Sequence, residues 1–399
     1  MTGFLILSGL LSLFLIILVT ESVVFNRRLK RIPIRITVSG TRGKSSIVRT
    51  LSSVFRAHGI KVLAKTTGSE AMYILPDSSL EKISRRGLTT ILEQKRLIAK
   101  AVHLQVDCII TEIMSIHPDN HKIETQKLIR PGLTVFSNFR SDHTDVVGES
   151  LEEISGLFIH DVFPGSKIVI PEEELNEFIQ NGIQQKGAVL IPALTGISDG
   201  LRLPGPVYRH HIRTNLDAVV SVARLQGIPD ETIIKGITDT RLDIGQLGIF
   251  RYNNDSRRVW FVNAFAANDP ISTLHLIRKT CEIFTAEFAS KPEIIGLLSL
   301  RSDRGDRSRQ WLNYLQSDGK NLFGRIYVSG IHSPVFSGKL NNCQSLSTRN
   351  PEMITRQIIE STKDDIVVFG IANIHGLGEE MIRHWEKSCH SSLVTLPDT

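Results

Sequence analysis

The stretch from Ile34 to Gly59 constrains this chain more than any other. Ile34, Ile36 and Val38 alternate with polar residues at the period of a strand. Gly40-Thr41-Arg42-Gly43-Lys44-Ser45-Ser46 follows at once. Ile47, Val48, Leu51, Val54 and Phe55 then recur at helical spacing, and Gly59 is placed as a C-cap. Strand, glycine turn and helix in this order are the setting of a phosphate-binding loop. Backbone N–H groups of such a turn surround phosphate oxygens, and the helix dipole adds partial positive charge. Lys44 is placed to neutralise phosphate oxygens and Ser45 to offer a hydroxyl to a divalent cation. A full Walker pattern needs glycine where Val38 stands, so the loop is a shorter form, Gly-Thr-x-Gly-Lys-Ser. The expected nucleotide contacts are Gly40, Thr41, Arg42, Gly43, Lys44, Ser45 and Ser46.

Apolar runs of strand length recur along the chain. Cys108–Ile110, Leu133–Phe136, Lys167–Ile170 and Ala188–Ile191 read as strands, with helical spacing over Ile91–Val102 and Leu151–Ile159. This alternation predicts a mainly parallel sheet covered by helices. A second series has strands at Val259–Ala264, Ile294–Leu300, Arg325–Ser329 and Ile366–Gly370, and helices around Ser272–Phe284 and Met353–Thr362. Between the two lie a helix over Asn215–Leu225, a turn at Gly227–Asp230 and a short helix to Ile237. At 399 residues the chain exceeds one ordinary domain. The expected division is 1–31, 32–245 and 246–399, the last two being α/β domains.

The first segment departs from this soluble pattern. Phe4–Val19 is almost wholly apolar, interrupted by Ser8, Gly9 and Ser12, and Val23–Phe25 extend it. A helix of roughly 16 to 20 residues just spans a hydrocarbon core of about 30 Å. A cleaved signal peptide needs a basic region before the apolar run, whereas here Arg27, Arg28, Lys30 and Arg31 come after it. The positive-inside rule then places the basic cluster and the chain beyond it in the cytoplasm. A single-pass anchor is expected; the competing reading is a buried N-terminal helix. The same cluster accounts for much of the net charge of +6, and aromatic residues make up 6%, so no nucleic-acid surface is expected. Cys108, Cys281, Cys343 and Cys389 are widely spaced, which fits a reducing compartment.

Further motifs come after the loop in order. Glu112 closes the strand Ile109-Ile110-Thr111-Glu112, and Asn138, Asp142, His143 and Asp145 cluster after Leu133–Phe136. Leu203-Pro204-Gly205 precedes His211, Asn215 and Ala218. Glu112 alone reads more readily as a solvated strand-end acid than as a metal ligand, and His143 alone as a structural histidine. Taken together with the short loop, the set resembles the Mur ligase superfamily. That likeness implies a P-loop ATPase domain and a smaller Rossmann-like C-terminal domain. It also implies Glu112, His143 and Ser45 as ligands of Mg²⁺ or Mn²⁺, with Lys44, Glu112 and His143 catalytic. Asn215 and Arg241 would join the nucleotide contacts. Within the superfamily, Lys65-Thr66-Thr67-Gly68, Asn263–Asp269, Arg301–Arg307 and Gly370–Gly376 resemble the ligase subunits of bacterial poly-γ-glutamate synthases. Substrate contacts are accordingly expected from Lys65, Thr66, Asn138, Asn268, Asp269, Arg301, Asp303, Arg304 and His375. Read without the likeness, the 301–307 cluster is a surface ion-pair network. Asn263 departs from the acid usual in Mur ligases, and no lysine is marked as a carbamoylated one.

The resemblance implies an ATP-dependent amide ligase: a carboxylate is phosphorylated to an acyl phosphate, which an amine then attacks. The expected substrates are glutamate and a growing poly-γ-glutamate chain, with other membrane subunits of a capsule synthase as partners and a homo-oligomer conceivable. The loop begins directly after the anchor, leaving no space for the UDP-sugar domain of peptidoglycan ligases, and the anchor argues against a folylpolyglutamate synthase. A membrane-tethered regulatory ATPase or kinase is the rival of another class, since it too would use an anchor and a phosphate loop.

Overall fold

A computed structural model describes residues 2–68, 71–85, 90–115, 117–139, 151–203, 213–240, 245, 248–252, 257–267, 270, 273–274, 276–278, 280–281 and 292–391. The chain divides into two compact units, Met1–Leu203 with His211–Arg241, and a second comprising mainly Leu242–Thr399.

The first unit opens with helix α1 (Thr2–Lys30), which is apolar and long enough to cross a membrane. Strands β1 (Ile34–Ser39), β2 (Val62–Thr66), β3 (Met72–Ile74), β4 (Leu80–Lys82), β5 (Cys108–Glu112), β6 (Leu133–Phe136), β7 (Lys167–Pro171) and β8 (Val189–Ala193) form one sheet. Its order is β4-β3-β2-β5-β1-β6-β7-β8, and only β3 runs against its neighbours. Parallel strands covered on both faces are apolar along their whole length, and β2, β5 and β6 are buried throughout. The register sets Val38 beside both Glu112 and Val135, and Ser39 beside Phe136. The ends of β1, β5 and β6 are therefore level, and the turns after them share one edge of the sheet.

Helix α2 (Lys44–Ala57) succeeds the glycine turn and buries Ile47, Val48, Leu51, Val54 and Phe55, as its spacing predicts. The other helices of this unit are α3 (Glu93–His103), α4 (Pro118–Ile123), α5 (Leu151–Ile159), α6 (Glu177–Gln185), α7 (Arg213–Leu225) and α8 (Asp230–Thr238). Helix α4 passes directly into a π-helical stretch, Glu124–Ile129, ended by Arg130 with φ 50°. Helical periodicity does not reveal that widening.

The second unit carries β9 (Gly248–Tyr252), β10 (Val259–Asn263), β11 (Glu293–Ser299), β12 (Arg325–Ser329), β13 (Cys343–Ser345), β14 (Ile366–Ile371) and β15 (His390–Ser391) in the order β13-β12-β11-β14-β10-β9-β15. Helices α9 (Gly305–Gln316), α10 (Ser333–Ser337), α11 (Pro351–Glu360) and α12 (Leu377–Ser388) belong to it. One core is built around Trp311, the other around Trp385, whose indole stacks on Phe261 at 4.9 Å. The predicted strands of both series are present. Strand β2, the short strands β3, β4, β13 and β15 and the antiparallel β9 were not expected, since such short runs carry little periodic signal. Within the helix expected at Ser272–Phe284, residues 273, 274, 276–278, 280 and 281 are described and are helical.

Helix α8 packs on α2 through Gly236, where a Cβ would stand 2.4 Å from the Cα of Val54. Gly236→Ala should therefore lower stability by about 1–3 kcal/mol through overpacking, read as a lower midpoint in denaturant titration of the full chain in detergent.

Candidate active site

The phosphate loop is held by backbone conformation and by close neighbours. Gly40 and Gly43 have φ of 115° and 82°, a region L-residues rarely occupy. A Cβ on Gly40 would lie 2.3 Å from Ser137 Oγ, and one on Gly43 would lie 2.6 Å from Asn215 Nδ2. Asn138 braces the turn from the end of β6. Its Oδ1 accepts from the Thr41 hydroxyl at 2.6 Å and the Arg42 N–H at 3.1 Å, while its Nδ2 donates to the Arg42 carbonyl at 3.0 Å. The Thr41 N–H donates to the Asn138 carbonyl at 3.0 Å. Expected as a substrate contact, Asn138 has both ends of its amide engaged by the loop.

Lys44 curls over the turn, donating to the Gly40 carbonyl at 2.6 Å and the Thr41 carbonyl at 3.3 Å. The Ser45 hydroxyl donates to Glu112 Oε2 at 2.8 Å, so the first turn of α2 meets the end of β5. Two hard oxygen donors lie together here, which suits Mg²⁺ or Mn²⁺ completing its shell with water and phosphate oxygens. Among the described residues no group of three or more His, Cys, Asp and Glu side chains forms a ready cage. His143, expected as the third ligand, lies outside the described residues, as do Arg241, Asn268 and Asp269.

Three polar atoms at expected contacts are buried with no hydrogen-bond partner among the described residues: Ser46 Oγ, Thr66 Oγ1 and Asn215 Nδ2. Buried donors and hydroxyls in native folds are nearly always satisfied, so these atoms fit groups that a ligand would engage. Lys65 does not share that state. Its ammonium lies 3.2 Å from Glu93 Oε2 and 3.4 Å from Met114 Sδ, with 0% of the side chain exposed. Burial pushes the Lys65 pKa down, against the pull of Glu93, Glu124 and Glu112. The expected substrate contact is thus a buried ion pair in this structure.

Sequence motifs did not reveal the polar layer beneath the loop. Ser39, the last residue of β1, donates to Asp161 Oδ2 at 2.5 Å, and His121 Nδ1 lies 2.8 Å from the same oxygen. Thr125 donates to Asp161 Oδ1 at 3.1 Å. Glu124, buried beside them, accepts from Gln94 and Ser115 at 2.5 Å each, and burial pushes its pKa up against those bonds. These residues are scattered over β1, helices and loops, without spacing that would mark them.

In the second unit, the carboxyl ends of β11, β12 and β14 border a cleft of about 400 Å³ that includes Arg301, Asp303, Arg349, His375 and Glu380. Arg301 grips Asp303 through two hydrogen bonds, at 2.9 and 2.6 Å, and holds that carboxyl below its usual range. His375 Nδ1 lies 2.6 Å from Glu379. Arg304 precedes α9 and is exposed, outside the cleft lining. Asn373, buried, donates to the Ser299 carbonyl at 2.8 Å and accepts from Arg307 at 2.6 Å, tying β14 to β11 and α9. It comes after Ala372, whose φ of 81° and spanning Asn373 N–H to Ile371 carbonyl bond make a γ-turn. Strain of this kind concentrates at working sites. Arg301, Asp303 and His375 thus line one cleft; Arg349 and Glu380 carried no motif.

Asn138→Ala should weaken nucleotide binding by about 1–3 kcal/mol, the cost of unmade buried hydrogen bonds, measured by titration with a fluorescent ATP analogue. A second expectation concerns pH. Burial alone would lower the His121 pKa, but Asp161 against Nδ1, with Glu124, outweighs burial and the opposing Lys44, so the net direction is upward. A raised folded pKa contributes stability that is full below the unfolded value of about 6.5 and is lost as pH rises through the folded value. The melting-temperature gap between the natural chain and His121→Gln should therefore be widest in mild acid and narrow as pH rises.

Comparison with known proteins agrees with this geometry. Residues 38–187 match the Mur ligase middle domain, and residues 249–388 match the poly-gamma-glutamate synthase CapB C-terminal domain. Capsule biosynthesis protein CapB of Bacillus anthracis is 28% identical over 390 residues, covering 94% of this chain and 81% of that protein. PGA synthase CapB of Bacillus subtilis (strain 168) is 28% identical over 382 residues, covering 92% of this chain and 94% of the relative. The folylpolyglutamate synthase/dihydrofolate synthase of Yersinia pestis, solved with AMPPNP and Mn ion, superposes with a TM-score of 0.64 at 15% identity, covering 91% of this chain and 92% of that one. MurF from Acinetobacter baumannii reaches 0.61 at 10% identity, covering 90% and 78%. The chain thus carries a Mur ligase middle domain and a CapB-type C-terminal domain, and along nearly its whole length it is similar to two CapB proteins.

Proposed function

We propose that this chain, an ATP-dependent amino-acid ligase by its domains, joins glutamate through γ-carboxyl linkages by way of an acyl phosphate, at the cytoplasmic face of a membrane. The observation that carries the reading is the meeting of Lys44, Ser45 and Glu112 at one edge of the first sheet. Lys44 exchanges its two loop carbonyls for phosphate oxygens, staying with the phosphoryl group as charge builds on it. Ser45 and Glu112 would hold a divalent cation, which would supply neutralisation of the charge that builds during transfer. His143 is the proposed third ligand, and Asn215, Arg241, Ser46 and the loop N–H groups hold the nucleotide.

The chemistry needs no enzyme nucleophile. The γ-carboxylate at the chain end attacks the terminal phosphorus and ADP leaves; the amine of the incoming glutamate then attacks the acyl carbon and phosphate leaves. Arginine forks suit carboxylates, so Arg301 of the second unit, with Asp303, Arg304, His375, Asn268 and Asp269, is proposed to hold glutamate. Lys65 and Thr66 are proposed as substrate contacts of the first unit once the Lys65–Glu93 pair opens. The CapB relatives support capsule polymer synthesis, and polymer export calls for further membrane subunits. Apolar α1 with Arg27, Arg28, Lys30 and Arg31 at its end supports a single-pass anchor.

One experiment tests the chemistry: the full chain in membranes receives ATP and glutamate carrying ¹⁸O in its γ-carboxylate. ADP release that depends on glutamate, a γ-linked product and ¹⁸O in the released phosphate are expected. Unlabelled phosphate would sink the acyl phosphate, ADP without any amide would favour a regulatory ATPase, and turnover only with a folate acceptor would favour folylpolyglutamate synthesis. Lys44→Ala should lower kcat by about 10²–10³-fold, the usual loss for one transition-state charge contact.

A further inference from the structure

Helix α1 does not hang from the first unit as a loose leader. Leu29 and Ile32 are buried in the core that also holds Leu97, Ile98 and Ala101 of α3, and Phe25 packs against it. One turn earlier, Glu21 is bonded to Lys95 of α3 at 2.6 Å. The direction of α1 relative to the sheet can therefore be read through α3.

The first turn of α3 lies at the carboxyl ends of the strands. Glu93 bonds Lys65 near the end of β2, and Gln94 accepts from the Thr111 hydroxyl near the end of β5. The last turn of α3 leads through Asp107 into the start of β5, where the Ile34 N–H bonds the Asp107 carbonyl. Hence α3 runs against the strands. Because Glu21 meets the first turn of α3 while Ile32 adjoins the start of β1, α1 runs the same way. It enters the unit from the carboxyl-end edge, the edge that carries Gly40–Ser46, Glu112 and Asn138. The apolar residues before Glu21 project beyond that edge and are exposed along their length.

Lengths place the bilayer. Phe4 to Glu21 spans about 26 Å of helix at about 1.5 Å per residue, close to the hydrocarbon thickness of about 30 Å. The Glu21–Lys95 pair then lies at the hydrocarbon edge, level with the carboxyl ends of the sheet. Exposed Arg96 follows Lys95 directly, and Leu92, 52% exposed, is the N-cap of α3, while the exposed Arg27, Arg28, Lys30 and Arg31 come later along α1, toward the start of β1. Cations near a surface of anionic lipid are drawn to it, an attraction that fades over a Debye length.

We infer that the nucleotide-binding edge of the first unit faces the bilayer, with the amino-terminal end of α3 resting on anionic headgroups as a second membrane contact beside the anchor. This rests on the proposed membrane anchor. The opposite arrangement, with the loop turned to the cytoplasm and the starts of the strands toward the lipid, would require α1 to enter from the other end.

Leu92 and His103 stand at opposite ends of α3, both exposed, and serve as a ruler. The full chain with Cys281, Cys343 and Cys389 changed to Ser, and Cys108 left buried, is given Leu92→Cys or His103→Cys and an environment-sensitive fluorophore. It is reconstituted in phosphatidylcholine–phosphatidylglycerol vesicles containing a lipid with a nitroxide on its headgroup. Quenching several-fold stronger at position 92 than at 103 is expected. Equal or reversed quenching in protein that floats with the vesicles overturns the orientation while leaving the anchor standing. Protein that does not float overturns the anchor and the orientation with it.

Discussion

At Gly43 one added methyl group would stand 2.6 Å from the amide of Asn215, and at Gly40 one would stand 2.3 Å from the Ser137 hydroxyl. This close approach between the turn, the end of β6 and the start of α7 is the constraint on which the site depends. It forces glycine at both positions, and it lets Asn138 bond the turn with both ends of its side chain. The turn is thereby held at the end of β1, ahead of the positive end of α2. Level strand ends then deliver Glu112 to Ser45.

Under that surface runs a polar layer that is costly to bury and is accordingly paired. Ser39, His121, Thr125 and Asp161 form one set, and Lys65, Glu93 and Arg85 another, with Glu124, Gln94 and Ser115 between them. Removing one partner of such a pair leaves the other uncompensated in a medium of low polarity. The layer therefore links the loop, α3 and the π-helical stretch, so that a change in one set is felt at the ends of β1 and β2.

Much of the architecture was legible beforehand, and the reason is local. The strand before the loop, the helix after it and the strands of both series come from apolar periodicity and glycine placement, which act within a few residues. The same holds for α1, whose length and lack of charge are properties of one segment. Roles were less legible than positions. Asn138 was expected to meet substrate and instead braces the loop; Lys65 was expected to meet substrate and is paired with Glu93. Both readings relied on motif order, which says that a residue matters but not which atoms it touches. Asn373 was quoted within a motif, yet its bonds to Ser299 and Arg307 span 74 and 66 positions.

From the sequence by itself came a phosphate loop of the shorter form, two α/β halves, an apolar leading helix and the candidate acids and amides of a ligase. Tertiary structure alone decided which of these meet. Ser45 and Glu112 are 67 positions apart, Thr41 and Asn138 are 97, and Ser39 and Asp161 are 122. Such pairs depend on strand order and register, which no local pattern encodes, because a strand's alternation is the same whichever neighbour it hydrogen-bonds. The direction in which α1 enters was decided the same way, by one ion pair to α3 and by the course of α3 against the sheet.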